Sequence, residues 1–121
     1  MATTTSRPAP PEEDRVDANP GRPGDHFASG NWLVSRDRET EFVARWKEFL
    51  EWTRASVAGL RSAHLIQDRE DPQHFISFAA WESAEAMQAW RSLPDFGQHL
   101  NACRALCDDF RGSSYTLAAM A

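Results

Sequence analysis

From His26 onward the apolar positions change their period several times, and each change predicts an element. His26–Val34 reads as a strand that carries Gly30, a position for a bulge or for close backbone approach. Arg38–Ser56 reads as a helix, because Phe42, Trp46, Phe49, Leu50 and Thr53 recur on one face at three- and four-residue steps. Gly59 stands where a helix exit or turn needs it. Leu60–Gln67 and His74–Trp81 read as two strands of a hairpin, joined by a polar connection containing Pro72. Ser83 is placed to cap a short helix, Ala84–Arg91. Pro94 interrupts, a further helical stretch is expected from about Asp95 to Arg111, Gly112 ends it, and Ser113–Met120 alternates as a last strand.

The predicted order is β-α-β-β-α-β, with the second helix broken at Pro94. That is the ferredoxin-like split βαβ unit of the α+β class, a four-stranded antiparallel sheet with its helices on one face. In the third strand Ile76 and Phe78 fall on one side and Phe75 and Trp81 on the other, so both sheet faces carry apolar side chains. A small open sheet of this kind hides its second face against another subunit, and a homodimer is expected.

The first 25 residues differ in texture. They hold five of the seven prolines and, after Met1, only Val16 as a large aliphatic residue. Such a segment cannot bury enough apolar surface to offset its ordering, so residues 1–25 are expected to form a disordered arm. All five tryptophans, all seven phenylalanines and the single tyrosine lie in 26–121, the expected folded domain. A net charge of −5 over 121 residues argues against non-specific nucleic-acid binding. No apolar run is long enough to span a bilayer, and the start lacks the features of a secretory signal. Two cysteines four residues apart make no disulfide framework and favour a reducing, cytoplasmic setting.

The candidate chemistry is sparse. No glycine-rich phosphate loop, His-Glu-x-x-His or Cys-x-x-Cys occurs. His99 shares an expected helix face with Cys103, Leu106 and Phe110, which suits a core histidine, a pocket acid or base, or an axial ligand to iron. The stripe His99, Cys103, Cys107 covers roughly 12 Å of helix, too far for a single zinc ion, so the cysteines read as small core residues. Trp90 either packs or lines a cavity, and its indole N–H needs a partner when buried. Trp32 and Trp81 are expected on opposite faces, one toward the dimer and one toward the cavity. Asn31 is disfavoured in mid-strand, and its amide wants a ligand or a bulge beside Gly30. Tyr115 is expected to reach the cavity. His64 and His74, with no evident carboxylate partner, read as edge or surface positions. The pairs Arg91–Asp95 and Arg104–Asp108 read as solvated helix faces.

At Phe75–Phe96 a strand ending in Trp81-Glu82-Ser83 leads to a short helix of Glu-Ala-x-x-Ala-Trp type and then to Pro94-x-Phe96. This resembles the antibiotic biosynthesis monooxygenase (ABM) family. The resemblance runs over 27–120 and includes Gly30-Asn31-Trp32, Glu41-Phe42 and Ala58-Gly59-Leu60. It implies a dimeric α+β barrel in which two sheets pack face to face and each subunit keeps a cavity between sheet and helices. It also implies oxidation of planar aromatic, polyketide-like phenols by dioxygen with no cofactor, the substrate itself supplying the electron. On that reading Asn31, Trp90 and His99 are the catalytic candidates, and Trp32, Trp81, Phe96 and Tyr115 contact substrate. Other members of the family bind and degrade haem through a first-strand asparagine, a tryptophan in the short helix and a later histidine on iron. Asn31, Trp90 and His99 stand at similar places, so haem is the alternative cofactor. In one respect the chain departs from the family: where Trp90 stands, a histidine is frequent, and a proton-transfer role there is vacant. The opposing expectation is a dimeric module that binds a small ligand without chemistry. The polar content of the cavity separates these readings, because an oxygenase needs groups that deprotonate and orient a phenol.

Overall fold

Strand β1 (His26–Val34) occupies an inner position in a four-stranded antiparallel sheet of order β2-β3-β1-β4. The other elements are α1 (Glu39–Ser56), β2 (Leu60–Gln67), β3 (His74–Trp81), α2 (Ala84–Arg91), α3 (Phe96–Arg104) and β4 (Cys107–Thr116). The computed structural model describes residues 25–121. The expected N-terminal arm therefore lies outside the described residues, apart from Asp25. That residue already belongs to the fold: its carbonyl accepts a 2.9 Å hydrogen bond from the Leu117 N–H, and its carboxylate lies 3.6 Å from Arg61. The architecture is the expected α+β ferredoxin-like one. No helix among the described residues is long and apolar enough to cross a membrane.

Strand alternation sorts the side chains between two faces. Ala28, Gly30, Trp32 and Val34 of β1 are buried on one side. Register places Trp32 beside Phe75 and Phe110, Gly30 beside Ser77 and Gly112, and Ala28 beside Ala79 and Ser114 on that same side. The helices cover it, and the core forms there: the fully buried Phe42 ring lies 5.1 Å from both Trp32 and Phe75. The opposite face carries Asn31, Leu33, Ile66, Ile76 and Tyr115, and among the described residues no helix covers it. Ile66 and Tyr115 are half exposed or more, at 50% and 57%.

Two local features follow the sequence closely. The Ser83 hydroxyl accepts the Ala86 N–H at 3.0 Å and caps α2. Gly59 adopts φ = 99°, a conformation open to glycine, and a Cβ there would strike Ala86.

Three expectations are corrected. The last helix ends at Arg104 rather than Arg111, and β4 spans Cys107–Thr116 rather than Ser113–Met120. The cause is the ladder: β1 has two sides to pair, and β4 satisfies one of them from Val34, opposite Cys107, to His26, opposite Thr116. Phe110 gains its burial from Trp32, with ring centroids 4.1 Å apart, and not from a continuing helix face. Gly112 is thus a strand position rather than a terminator. Gly30 is no bulge either; the register runs evenly through it, and the irregularities fall between Leu33 and Val34 and between Leu60 and Ser62. Its role is close approach: a Cβ on Gly30 would sit 2.6 Å from Trp32 Nε1 and 2.8 Å from Ser77 Oγ.

Candidate functional site

The middle of the helix-facing side of the sheet lacks large side chains. Its register-matched positions are Ala28, Gly30, Ser77, Ala79, Gly112 and Ser114. Bulky residues flank this patch, Trp32 and Phe110 toward one end and Trp81 toward the other. Met87 of α2 packs on the Ala28 and Trp81 end of this face, and Phe42 of α1 packs on the Trp32 end. What remains is a cavity of about 500 Å³. Its walls are Trp46, Phe49 and Thr53 from α1, Trp90 from α2, and Phe96 and Leu100 from α3. It opens where Gly112 and Ser114 become exposed, on the edge strand β4.

The aromatic walls are held in fixed orientations. The Trp90 ring lies 5.0 Å from Trp81, 5.8 Å from Phe49 and 4.8 Å from Phe96, the last pair nearly perpendicular at 86°. The Trp90 indole N–H donates to Thr53 Oγ1 at 2.9 Å, and that hydroxyl donates in turn to the Phe49 carbonyl at 2.8 Å. The Trp32 N–H donates to Ser77 Oγ at 2.9 Å. The buried Trp81 N–H has no partner among the described residues, which costs the fold about 1–3 kcal/mol by the general price of an unmet donor. Arg91 is the one charged residue in the lining among the described residues, and its Nη1 donates to Ser114 Oγ at 2.9 Å. Among the described residues, no aspartate, glutamate, histidine, lysine, cysteine or tyrosine lines the cavity.

Of the residues singled out from the sequence, Trp32, Trp81, Trp90 and Phe96 come together here. Trp32 and Trp81 share a face, against expectation. Register sets Trp32 opposite Phe75, and Trp81 lies six residues beyond Phe75, an even number that keeps it on the same side. Asn31 points to the other face. Its Oδ1 lies 2.9 Å from His74 Nε2, and His74 Nδ1 lies 3.1 Å from Asp68 Oδ2. His74 thus has a carboxylate partner after all, supplied by the hairpin connection. The Asp68 carboxyl is held below its ordinary value, chiefly by the Glu70 N–H and then by the His74 ring. Tyr115 is also on this face and lines, with Asn31, Ile76 and Arg111, a separate polar groove of about 410 Å³.

His99 is in neither place. Its ring stacks on Trp52 at 4.5 Å and on Phe49 at 6.2 Å, between α3 and α1 and outside the cavity lining. Asn31, Trp90 and His99 therefore occupy three separate environments. The residues that would hold haem do not surround one space and do not fit that group as placed. Burial pushes the Cys103 thiol up to about 12 and the Cys107 thiol up to about 11, so neither is a nucleophile at neutral pH.

Thr53, Ser77, Arg91 and the paired glycines of the floor escaped sequence reasoning. The signal available was the run of small residues at alternate strand positions. Arg91 was expected on a solvated helix face with Asp95, but α2 ends at Arg91 and its guanidinium donates to Ser114 Oγ.

The profile of the family described as antibiotic biosynthesis monooxygenase matches residues 28–102. No curated protein matches the chain in sequence. Among solved structures, SnoaB of Streptomyces nogalater, described as a cofactor-independent oxygenase, superposes with a TM-score of 0.69 at 20% identity over 79% of this chain and 96% of its own. A variant of SnoaB gives 0.73 at 18% identity, over 80% and 96%. A conserved protein of Methanosarcina mazei gives 0.68 at 15% identity, over 76% and 91%. At these identities the likeness is one of fold.

Proposed function

The chain belongs to the antibiotic biosynthesis monooxygenase family, and from that premise we propose that its cavity binds a planar, electron-rich aromatic compound and oxidises it with dioxygen without a cofactor. The observation that carries this reading is the slot itself, a flat floor of alanine, glycine and serine beneath locked aromatic walls. Flat rings fill such a space with offset and edge-on contacts. For a ring-flanked CH₂ the reaction balances without an external reductant. The substrate carbon gives up four electrons, one oxygen atom becomes its carbonyl oxygen, and the other leaves as water with both hydrogens. The protein's part is to bind, orient and exclude water. Trp90, fixed by Thr53, and Trp32, fixed by Ser77, set the ring plane.

A second reading has its own support. Among the described residues no aspartate, glutamate, histidine, lysine, cysteine or tyrosine lines the cavity, and Asn31, His99 and Tyr115 lie elsewhere, which favours a module that binds aromatic ligands without transforming them. Oxygen-electrode assays over anthrones and naphthols, run beside tryptophan-fluorescence binding, separate the two. Binding with stoichiometric oxygen uptake is expected. Binding with no uptake for any compound leaves the module, and no binding removes the aromatic-cavity reading.

We further infer that a second copy of the chain covers the open sheet face, where Leu33, Ile66 and Tyr115 are exposed. Sedimentation at micromolar concentration should give a dimer; a clean 13.7 kDa monomer would overturn this.

A further inference from the structure

We propose that Arg91 is an anion anchor at the mouth of the cavity, and that the cavity takes its aromatic ligand with one oxygen already ionised. This rests on the aromatic-cavity reading above and deepens it. Four observations carry it. Among the described residues, Arg91 is the one charged residue that lines the cavity. Its guanidinium is tied to the cavity rim by one bond, Nη1 to Ser114 Oγ at 2.9 Å, which bridges α2 and the edge strand β4. A guanidinium carries five N–H donors, so four remain for a ligand. Finally, no carboxylate neutralises it: the ion pairs among the described residues are Arg38–Glu41, Arg45–Glu48, Arg61–Asp25 and His74–Asp68.

The rest of the lining makes this charge decisive. With no aspartate, glutamate, histidine, lysine, cysteine or tyrosine among the described residues facing the cavity, its lining offers no side chain to strip a proton from a bound phenol. The Thr53 hydroxyl is committed to Trp90 and Phe49, and Ser77 Oγ already receives the Trp32 N–H. Ionisation must therefore precede or accompany entry, and the species favoured is the one whose negative oxygen meets Arg91. A charge-assisted hydrogen bond at an apolar mouth discriminates strongly against a neutral isostere. The shared ligand chemistry is a fused planar ring system bearing one anionic oxygen, whether phenolate (or enolate) or carboxylate.

The test is tryptophan-fluorescence titration of the full chain at pH 7 with three naphthalenes. They are 2,4-dinitro-1-naphthol, ionised at that pH; 2-naphthoate, a carboxylate; and 2-naphthalenemethanol, neutral throughout. At least one anion should bind about tenfold or more tighter than the neutral compound, and which one does so identifies the source of the charge. Arg91→Gln, shown to be folded by a far-UV circular dichroism spectrum that matches the parent, should erase that preference. Arg91→Lys should keep part of it. Equal affinity for neutral and anionic compounds, or a preference that survives Arg91→Gln, overturns the anchor and leaves the aromatic cavity standing. If none of the three binds, the cavity reading and the anchor fall together.

Discussion

One sheet presents two unlike faces. On the helix side the strands place alanine, glycine and serine under a canopy of indole and phenyl rings, with a single cation at the rim. On the open side the same strands carry the hydrogen-bonded series Asp68–His74–Asn31 beside Arg111 and Tyr115. This hydrogen-bonded series thus lies on the face without the aromatic cavity. A site can be shaped by what the strands omit, and in this protein the omission lies on the side where binding energy comes from ring contact.

The contrast can be broken from the helix side first. Phe42→Ala removes a fully buried ring between Trp32 and Phe75 and should cost about 3–5 kcal/mol, read as a fall in urea midpoint. Next, Gly30→Val forces its side chain into the Trp32–Ser77 hydrogen bond; about 1–3 kcal/mol of stability should go, together with aromatic binding. Ala79→Leu fills the floor from an adjacent strand. It should change stability by less than about 1.5 kcal/mol while weakening naphthalene binding by about tenfold. A floor substitution that leaves binding intact would show that the ligand sits elsewhere.

Titration sharpens the contrast more gently. Burial disfavours the Cys107 thiolate, so the folded chain withholds it until the pH approaches about 11 rather than 9.0. At pH 8 its alkylation should be roughly a hundredfold slower than in the unfolded chain. On the open face the sign is reversed. The Asp68 carboxyl is held low, so its contribution to stability is present above its ordinary value of 3.8 and is lost as the pH falls through the depressed value. In an NMR titration, His74→Ala should move the Asp68 midpoint upward by the smaller share of the shift, since the Glu70 N–H supplies the larger. An unmoved midpoint would detach His74 from the series.

The element order and the α2 cap were legible because capping and periodicity are local. The end of α3 was not. Cys103, Leu106 and Phe110 keep helical spacing, yet the pairing demand of β1, distant in sequence, draws Phe110 into a strand. Asn31 could be assigned to the face of Ser29 and Leu33 by alternation alone, but which face the helices cover is a tertiary fact. His74 and Asp68 meet only through the geometry of the hairpin turn. The cavity was hidden for a related reason: its floor is written in glycines and alanines on separate strands, and only register brings them side by side.

That floor also bears on how such a protein can diversify. Ala28 and Ala79 pack in a small cluster with Trp81 and Met87, whereas Phe42 and Val34 belong to the larger one that keeps the sheet covered. Adding or removing a methyl group at a floor position resizes the binding space from below while the scaffold above keeps its contacts. Ligand choice can therefore drift in small volumetric steps, and Gly30, wedged against Trp32, and Gly112, close against Phe110, mark where that freedom ends.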